Sequence, residues 1–336
     1  MDDNMIAAMD TMAAAQAINA ATPLSLTVTH KAEIANGITL FELSDPAQPV
    51  LPAFTAGAHI AVTTPNGLQR RYSLCNAPSE RHRYQIAVQR DAQGAGGSVS
   101  LVDGVKVGDR LSVSAPLNYF PLAPEAQHTL LLAGGIGITP MLAMVHELQA
   151  RQAGFTLVYV ARFPESSAFL DALSAPELAG HVRIHHSHGD PARALALAPI
   201  LADCAPGTHL YCCGPRRLMQ AVRELASGWP AGTVHFEDFG TSEQPQAGGE
   251  QAFTVRLARS NTSVAVPAGV SILKALLDGG IDVPSSCESG TCGACRTKLI
   301  SGEAEHRDYV LDEEEFETDI MICVSRAKCA ELVLDL

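Results

Sequence analysis

"CESGTCGAC", residues 287–295, sets the frame for reading the chain. Three cysteines fall close together, and the residues between them are too small to pack a core. The spacing is Cys287-x4-Cys292-x2-Cys295, with Cys323 further along. In the pattern C-x4-C-x2-C…C, four thiolates hold the two irons of a [2Fe–2S] centre. Such a centre also needs backbone N–H groups close to its sulfurs, because those bonds tune its reduction potential. Gly290, Gly293 and Ala294 leave the backbone free to wrap tightly, and Ser286 and Ser289 can add donors. Structural zinc favours paired C-x2-C knuckles, and here only one pair has that spacing. Cys329 lies outside the pattern and reads as a small buried apolar residue.

The surrounding chain has 336 residues, enough for two or three domains. Hydrophobic residues make up 47% and charged residues 18%, a globular composition. No apolar run reaches the length of a bilayer span, so a membrane location is not expected. The opening "MDDNMIAAMDTMAAAQAINAATP" has early acids and no basic segment, so it reads as a tail (1–23) rather than an export signal. A net charge of −13 disfavours nucleic acid, which would be repelled. An odd cysteine count of nine without an export signal points to reduced thiols and a cytoplasmic protein.

Texture divides the rest. Residues 24–122 are rich in Val, Thr, Leu and Gly. "LSLTVTHKAEI" and "RYQIAVQRD" alternate in part, as half-buried strands do, predicting a small antiparallel β-barrel or sandwich. From 123 to 240 buried strands ("TLLLAGG", "FTLVYVA", "HVRIHH", "THLYCC") alternate with helical stretches ("TPMLAMVHELQA", "SAFLDAL", "RALALAPILA", "PRRLMQAVRELA"). This predicts an α/β domain with a parallel sheet. Residues 241–251, "TSEQPQAGGEQ", read as a linker. Residues 252–336 open with a hairpin and a short helix, "VSILKALLDGG", before the cysteine loop.

Two further motifs carry chemistry. "RRYSLCN", 70–76, places an arginine, an aromatic ring and a hydroxyl on one strand, and "GAGGSVS", 94–100, follows. Arginine's planar fork suits a phosphate, and consecutive N–H groups at a helix start attract an anion. "LLAGGIGITPML", 131–142, sets Gly134, Gly135 and Gly137 between a strand and a helix, and "YCCGPRRLM", 211–219, ends a later strand. Glycines let a dinucleotide approach the backbone at a sheet's carboxyl edge. Alone this turn is weak evidence, since it lacks the third glycine of the usual fingerprint.

Taken in order, these motifs resemble the phthalate dioxygenase reductase family over residues 24–336, and "PSSCESGTCGAC" resembles the cluster loop of plant-type ferredoxins. The resemblance implies a β-grasp ferredoxin-like C-terminal domain and three cofactors: FMN, NADH and a [2Fe–2S] cluster. It implies metal ligands Cys287, Cys292, Cys295 and Cys323. Flavin contacts would be Arg70, Tyr72, Ser73, Gly96, Gly97 and Ser98. Nicotinamide contacts would be Gly134, Gly135, Gly137, Thr139, Gly214 and Pro215. Cys213, Thr139 and Glu237 would lie at the reacting centre, with Phe236 shaping the gap beside it. Where many relatives have an arginine before Gly-Gly-Ser, this chain has Ala95, which throws phosphate binding onto Arg70 or Arg90. Arg162 stands where a Rossmann acid is usual, a hint of NADPH, but NADH-using relatives carry it too.

A nicotinamide delivers two electrons together, a [2Fe–2S] cluster takes one, and a flavin bridges the two. The resemblance therefore implies a reductase that feeds a separate Rieske non-haem iron oxygenase or O-demethylase in aromatic catabolism. The alternatives are an FAD-containing reductase serving an acceptor such as a haem monooxygenase, and a non-catalytic redox sensor. His185, His186 and His188 read as exposed or nucleotide-contacting rather than metal-binding. The acidic run "LDEEEFETD", 311–319, reads as a solvated face or as a docking surface for a basic partner.

Overall fold

The computed structural model describes residues 23–202, 205–239, 251–285, 288–312 and 314–336. Residues 1–22 and 240–250, which hold most of the expected tail and linker, lie outside them. The chain divides into two compact units, one spanning Ala21–Glu237 and the other holding Asp238–Leu336.

The first unit begins with six antiparallel strands, β1 (Leu24–Ala35), β2 (Ile38–Ser44), β3 (His59–Thr63), β4 (Gln69–Ser73), β5 (Tyr84–Gln89) and β6 (Arg110–Val113). Their order is β4-β3-β6-β1-β2-β5, and a bridge between Leu74 and Ile86 closes the barrel. Closure satisfies edge strands that would otherwise invite pairing. The alternation of β1 is only partial in the sequence because its register slips at Val28/His30 and again at Glu33/Ala35. The one helix of the barrel, α1 (Gly97–Gly104), starts after Gly96, whose φ of 84° is left-handed. Lys31 Nζ donates to Val102 O and Val105 O at its far end, which fixes the helix against β1.

A five-stranded parallel sheet follows: β7 (His128–Gly134), β8 (Gly154–Ala161), β9 (Val182–His186), β10 (Thr208–Cys213) and β11 (Val234–Glu237). Between them lie α2 (Ile138–Ala150), α3 (Leu170–Leu173), α4 (Ala198–Leu201) and α5 (Arg216–Leu225). The helix expected over "RALALAPILA" shrinks to α4, because Pro199 bars the preceding residues from continuing into it. The strand order is β11-β10-β7-β8-β9. The chain therefore builds outward from β7 in one direction and then returns to the other side of it. The reversal lies between β7 and β10, and ligands of open α/β sheets bind outside the carboxyl ends of the strands at such a point.

One continuous core joins barrel and sheet. Ile38, Ala56, Cys75, Ala87 and Phe120 from the barrel side pack with Leu131, Met141, Met144 and Tyr211 from the sheet side. Gly57 has a φ of 91°, and a β-carbon there would sit 2.0 Å from Phe120 O and 3.1 Å from the end of Met144. Only glycine allows that contact.

The strands of the second unit are β12 (Phe253–Leu257), β13 (Thr262–Val266), β14 (Arg296–Ser301), β15 (Ala304–Glu305), β16 (Asp319–Met321), β17 (Arg326–Ala327) and β18 (Glu331–Leu334). They form a mixed sheet of order β13-β12-β18-β14-β16 and a two-stranded β15-β17. α6 (Ile272–Asp278) is capped by Ser271, whose side chain accepts from Lys274 N. It buries Ile272, Leu273, Ala275 and Leu276 against the sheet. Parallel pairing of β12 with the final strand β18, beside a hairpin and one crossing helix, is the α+β arrangement expected for residues 252–336.

Part of the acidic run is neutralised within the fold, while Asp312, Glu314 and Glu317 stay exposed. Asp319 is 2% exposed and lies between Arg296 (3.0 Å) and Lys298 (2.8 Å), and Glu315 pairs with Arg296 at 2.8 Å. Burial pushes the Asp319 carboxyl up, but bonds from Arg296, Lys298 and Thr318 outweigh it and hold the pKa down at about 2. A carboxyl depressed in the folded state contributes stability above its unfolded value, and that stability is lost as pH falls from about 4 to about 2. Asp319→Asn should thus cost about 2 kcal/mol at pH 6. The gap to the parent protein should close by pH 2, read as urea midpoints at both pH values.

Candidate functional site

At the barrel, the two halves of the flavin motif come together. Arg70 in β4 reaches the start of α1: a β-carbon on Gly97 would lie 2.9 Å from Arg70 Cγ and 3.0 Å from its Nε. Gly96, Gly97 and Ser98 form the first turn there, with no side chain capping its N–H groups. Asn66 N donates to Ser100 Oγ, and Asn66 Nδ2 donates to Gly96 O, so the β3–β4 turn holds the helix start in place. Ser98 Oγ accepts from Asp91 N. Arg90 is engaged elsewhere, in a two-pronged pair with Asp103 at 2.7 Å. That pair competes with the expected sharing of a phosphate between Arg90 and Arg70.

Tyr72 lies between Arg70 and Ser73 on β4. Its hydroxyl is buried and has no hydrogen-bond partner among the described residues, and burial raises its pKa to about 12. A buried hydroxyl without a partner is costly unless a ligand supplies one. Together with a guanidinium set against an uncapped helix start, it fits a phosphate-bearing ring ligand such as a flavin mononucleotide. Arg70→Ala should weaken flavin binding about 10- to 100-fold, the worth of a charge-assisted phosphate bond. Fluorescence titration of flavin-stripped protein would measure it.

The switch-point crevice is built from two glycine turns in backbone contact. A β-carbon on Gly137 would meet Cys213 O at 2.2 Å, and one on Gly214 would meet Gly134 Cα at 2.8 Å. Gly135 is different: it faces open space, with a left-handed φ of 55°. The β-carbon of a residue at 134 would also strike Pro215 and Leu218 at 2.7 Å. These glycines are needed first for the two turns to pack, and the packing leaves open space beside half-buried Gly135. Thr139 is buried, and its hydroxyl donates to Ile136 O at 3.1 Å, so it holds the turn at the start of α2.

In-register pairing sets Ala133, Cys213 and Glu237 side by side on one face of the sheet. Cys213 belongs to the core shared with the barrel and is fully buried. Glu237 lies at the barrel boundary, where Ser73 Oγ donates to its Oε2 at 3.4 Å. The flavin strand and the last sheet strand thus meet through residues 164 positions apart. Phe236 alternates to the opposite face, in register with Cys212. His59, which the sequence reading passed over, is buried directly across from Ser73, with the Tyr119 ring 5.8 Å away. The alternation of β3, with Ile60 and Val62 turned inward, was the available signal for it.

In the second unit, pairing of Arg296 with Met321 brings Cys295 opposite the approach to Cys323, and Ile322 N donates to Cys295 O at 3.5 Å. Both cysteines are buried, and Cys292 is half-buried. Gly290 takes a φ of 77° with Asp308 Cα 3.0 Å from where its β-carbon would be, and Tyr309 N donates to its carbonyl. The described residues alone do not compose a metal site; Cys287 and Ser286 lie outside them. Cys329 is half-buried rather than an apolar filler: its thiol donates to Glu331 O at 3.0 Å and accepts from Glu303 N at 3.2 Å.

Residues 255–328 match the 2Fe-2S iron-sulfur cluster binding domain, and residues 112–232 match the N-terminal domain of dimethylamine monooxygenase subunit DmmA-like proteins. The chain is 52% identical to phthalate dioxygenase reductase of Burkholderia cepacia, across 93% of its own length and 97% of the relative's. The chain belongs to the phthalate dioxygenase reductase family. The phthalate 4,5-dioxygenase oxygenase reductase subunit of Pseudomonas putida is 51% identical over 93% of this chain and 96% of that one. The solved structure of phthalate dioxygenase reductase, described as modular for electron transfer from pyridine nucleotides to [2Fe-2S], superposes with a TM-score of 0.70. It is 52% identical, covering 94% of this chain and 98% of that one. Membership makes the protein an oxidoreductase of the oxygenase-reductase class with a barrel, an α/β domain and a C-terminal iron–sulfur domain. No helix among the described residues is long and apolar enough to cross a membrane.

Proposed function

We propose that the chain is the cytoplasmic reductase component of an oxygenase system. It takes a hydride from NADH and delivers electrons singly, through FMN and a [2Fe–2S] cluster, to a separate terminal oxygenase of the Rieske type acting on an aromatic compound. The observation that carries this reading is the meeting of Ser73 and Glu237. It joins the barrel surface suited to a flavin and the switch-point crevice suited to a nicotinamide across one boundary in one compact unit.

A bound flavin supplies the conversion from paired to single electrons that neither nicotinamide nor cluster performs. The chain's own residues bind, orient and exclude water. Arg70 and the first turn of α1 hold the phosphate, and Tyr72 offers its ring and a hydroxyl awaiting a partner. Gly134, Gly135 and Gly137 with Gly214 and Pro215 let the nucleotide lie against backbone. Cys213, buried at the crevice floor, keeps water from beneath the transferring atoms. Ser73 and Glu237 hold a hydroxyl proton and a carboxylate where a proton must be handed off as electrons leave one at a time. Cys287, Cys292, Cys295 and Cys323 hold the two irons.

Anaerobic titration of the purified protein with NADH tests this. Flavin and cluster absorbance should bleach together, and the reduced protein should reoxidise rapidly on mixing with a Rieske oxygenase. Turnover with a haem monooxygenase but not with a Rieske protein would favour the FAD-type alternative. Negligible turnover with cytochrome c would favour the redox sensor.

A further inference from the structure

Between β15 and β16 the second unit holds a histidine, His306, and a buried aspartate, Asp308, that none of the steps above employs. Asp308 ties several segments together. Its Oδ1 accepts from Val310 N at 3.0 Å and from Leu311 N at 2.8 Å, and Ser325 Oγ donates to its Oδ2 at 3.4 Å. Ser325 follows closely on Cys323, and its hydroxyl also accepts from Arg307 N at 3.3 Å. On the other side, Tyr309 N donates to Gly290 O at 2.8 Å. A β-carbon on Gly290 would lie 3.0 Å from Asp308 Cα and 2.7 Å from a Val324 methyl. Gly290 belongs to the loop between Cys287 and Cys292. Residues 306–309 are therefore clamped between the two cysteine-bearing stretches of the chain.

His306 lies flat on Phe316, with ring centroids 4.2 Å apart and planes 8° from parallel, and its side chain is 10% exposed. Its Nε2 is 3.0 Å from Phe316 O. A carbonyl oxygen only accepts, so Nε2 carries a hydrogen. In a neutral ring that leaves Nδ1 as a bare acceptor. Nδ1 is buried, has no hydrogen-bond partner among the described residues, and stands 3.9 Å from Asp308 Oδ2. Two acceptors then oppose each other away from water, which is costly. A proton on Nδ1 turns that conflict into an ion pair. Of the other charged residues on the segments packed against the ring, Arg307 pairs with Glu305 at 2.9 Å, Glu315 pairs with Arg296 at 2.8 Å, and Glu317 is exposed. Asp308 is the charge set against Nδ1.

We propose that His306 is a redox-linked proton site for the cluster: Nδ1 takes up one proton beside Asp308 when the cluster holds an electron, and returns it when the electron leaves. The inference deepens the cluster reading of Cys287, Cys292, Cys295 and Cys323 and rests on it. The exchange balances. The electron arrives from the flavin and the proton from water; on delivery the electron passes to the acceptor and the proton returns to water. A negative charge added between the cysteine-bearing stretches favours a positive charge on the ring clamped against them. The attraction is reciprocal, so a proton on the ring makes the electron easier to hold. His306 acts through Asp308 and the loop packed on it, as a positioning residue.

The test is a redox titration of the intact protein with its cofactors, following the electron paramagnetic signal of the reduced cluster at a series of pH values. The ring loses its proton as pH rises, so the cluster potential should fall. The whole fall should be about tenfold in electron affinity, about 59 mV for one electron. His306→Gln keeps a donor for Phe316 O but takes no proton, and its potential should stay flat with pH at the parent's high-pH value. Asp308→Asn keeps acceptors for Val310 N and Leu311 N but removes the charge that holds the proton, and should move the fall to lower pH. A flat potential in the parent, or the parent's pH dependence retained in His306→Gln, would overturn the proposal. Iron content reports whether each variant keeps its fold. If His306→Gln loses its iron, Asp308→Asn decides, and an unmoved fall there overturns the proposal. If the parent gives no signal at all, the cluster reading falls with it.

Discussion

Cys323→Ser will remove the one-electron output of the protein and leave its hydride input working. Reduction of cytochrome c should drop by more than about a hundredfold, since loss of a direct ligand exceeds the 10- to 100-fold cost of losing a supporting contact. Reduction of ferricyanide by NADH should persist, because the flavin and nicotinamide surfaces lie in a different compact unit with its own core. Cys323 is buried in the core of the second unit, so its loss could also act by unfolding that unit. Cys292→Ser provides the check, since Cys292 is half-buried in the loop and its replacement removes a ligand with little change of packing. Both variants should lose the iron and the electron paramagnetic signal of the reduced cluster. Retention of the signal in either would remove that residue from the ligand set.

The second large effect is expected at Gly137. Its backbone is ordinary helical, with a φ of −61°, so conformational freedom is not what alanine would lack. The obstacle is steric: the added carbon would sit 2.2 Å from Cys213 O and 2.5 Å from Cys213 C. Both atoms are backbone at the end of β10 and cannot swing aside, so the two turns must separate. Gly137→Ala should cost about 3 kcal/mol, the upper end of the overpacking range, and lower kcat/KM for NADH about a hundredfold or more by opening the crevice. Gly135→Ala is the contrast. That site has open space around it and a left-handed φ of 55°, so the cost is backbone strain of about 1 kcal/mol and the turn stays closed. Thermal midpoints and NADH kinetics for the pair separate the two causes. Equal effects at both positions would mean that the close approach of Gly137 to Cys213 is not what shapes the site.

The parts of the site legible in the sequence were those written within a few residues of one another. The cysteine spacing and the strand that carries Arg70, Tyr72 and Ser73 are local patterns, and so is the switch of rhythm near residue 123 from alternating strands to buried strands and helices. What escaped depends on pairs far apart in the chain. The resemblance grouped Ser73 with Glu237 and Arg70 with Gly97, but no local pattern gives the Ser73–Glu237 hydrogen bond or the close approach of Arg70 to Gly97. Arg90, offered after Arg70 as a phosphate contact, pairs with Asp103 of α1, which no local pattern shows. The acidic run looked uniform, yet the pairing of β14 with β16 buries Asp319 between two cations and leaves Glu314 and Glu317 at the surface. Cys329 looked like a filler because the sequence does not reveal the carbonyl that accepts its hydrogen bond.

The core shared by barrel and parallel sheet bears on how such chains can be recombined. A break near residue 122 would tear Phe120 from Met144 and Tyr211 and leave two sticky, half-built pieces. The boundary between Glu237 and Asp238 falls between two units, each with an interior of its own. Gene shuffling is therefore expected to carry the hydride-handling portion as a single block and to exchange the iron-bearing portion as another.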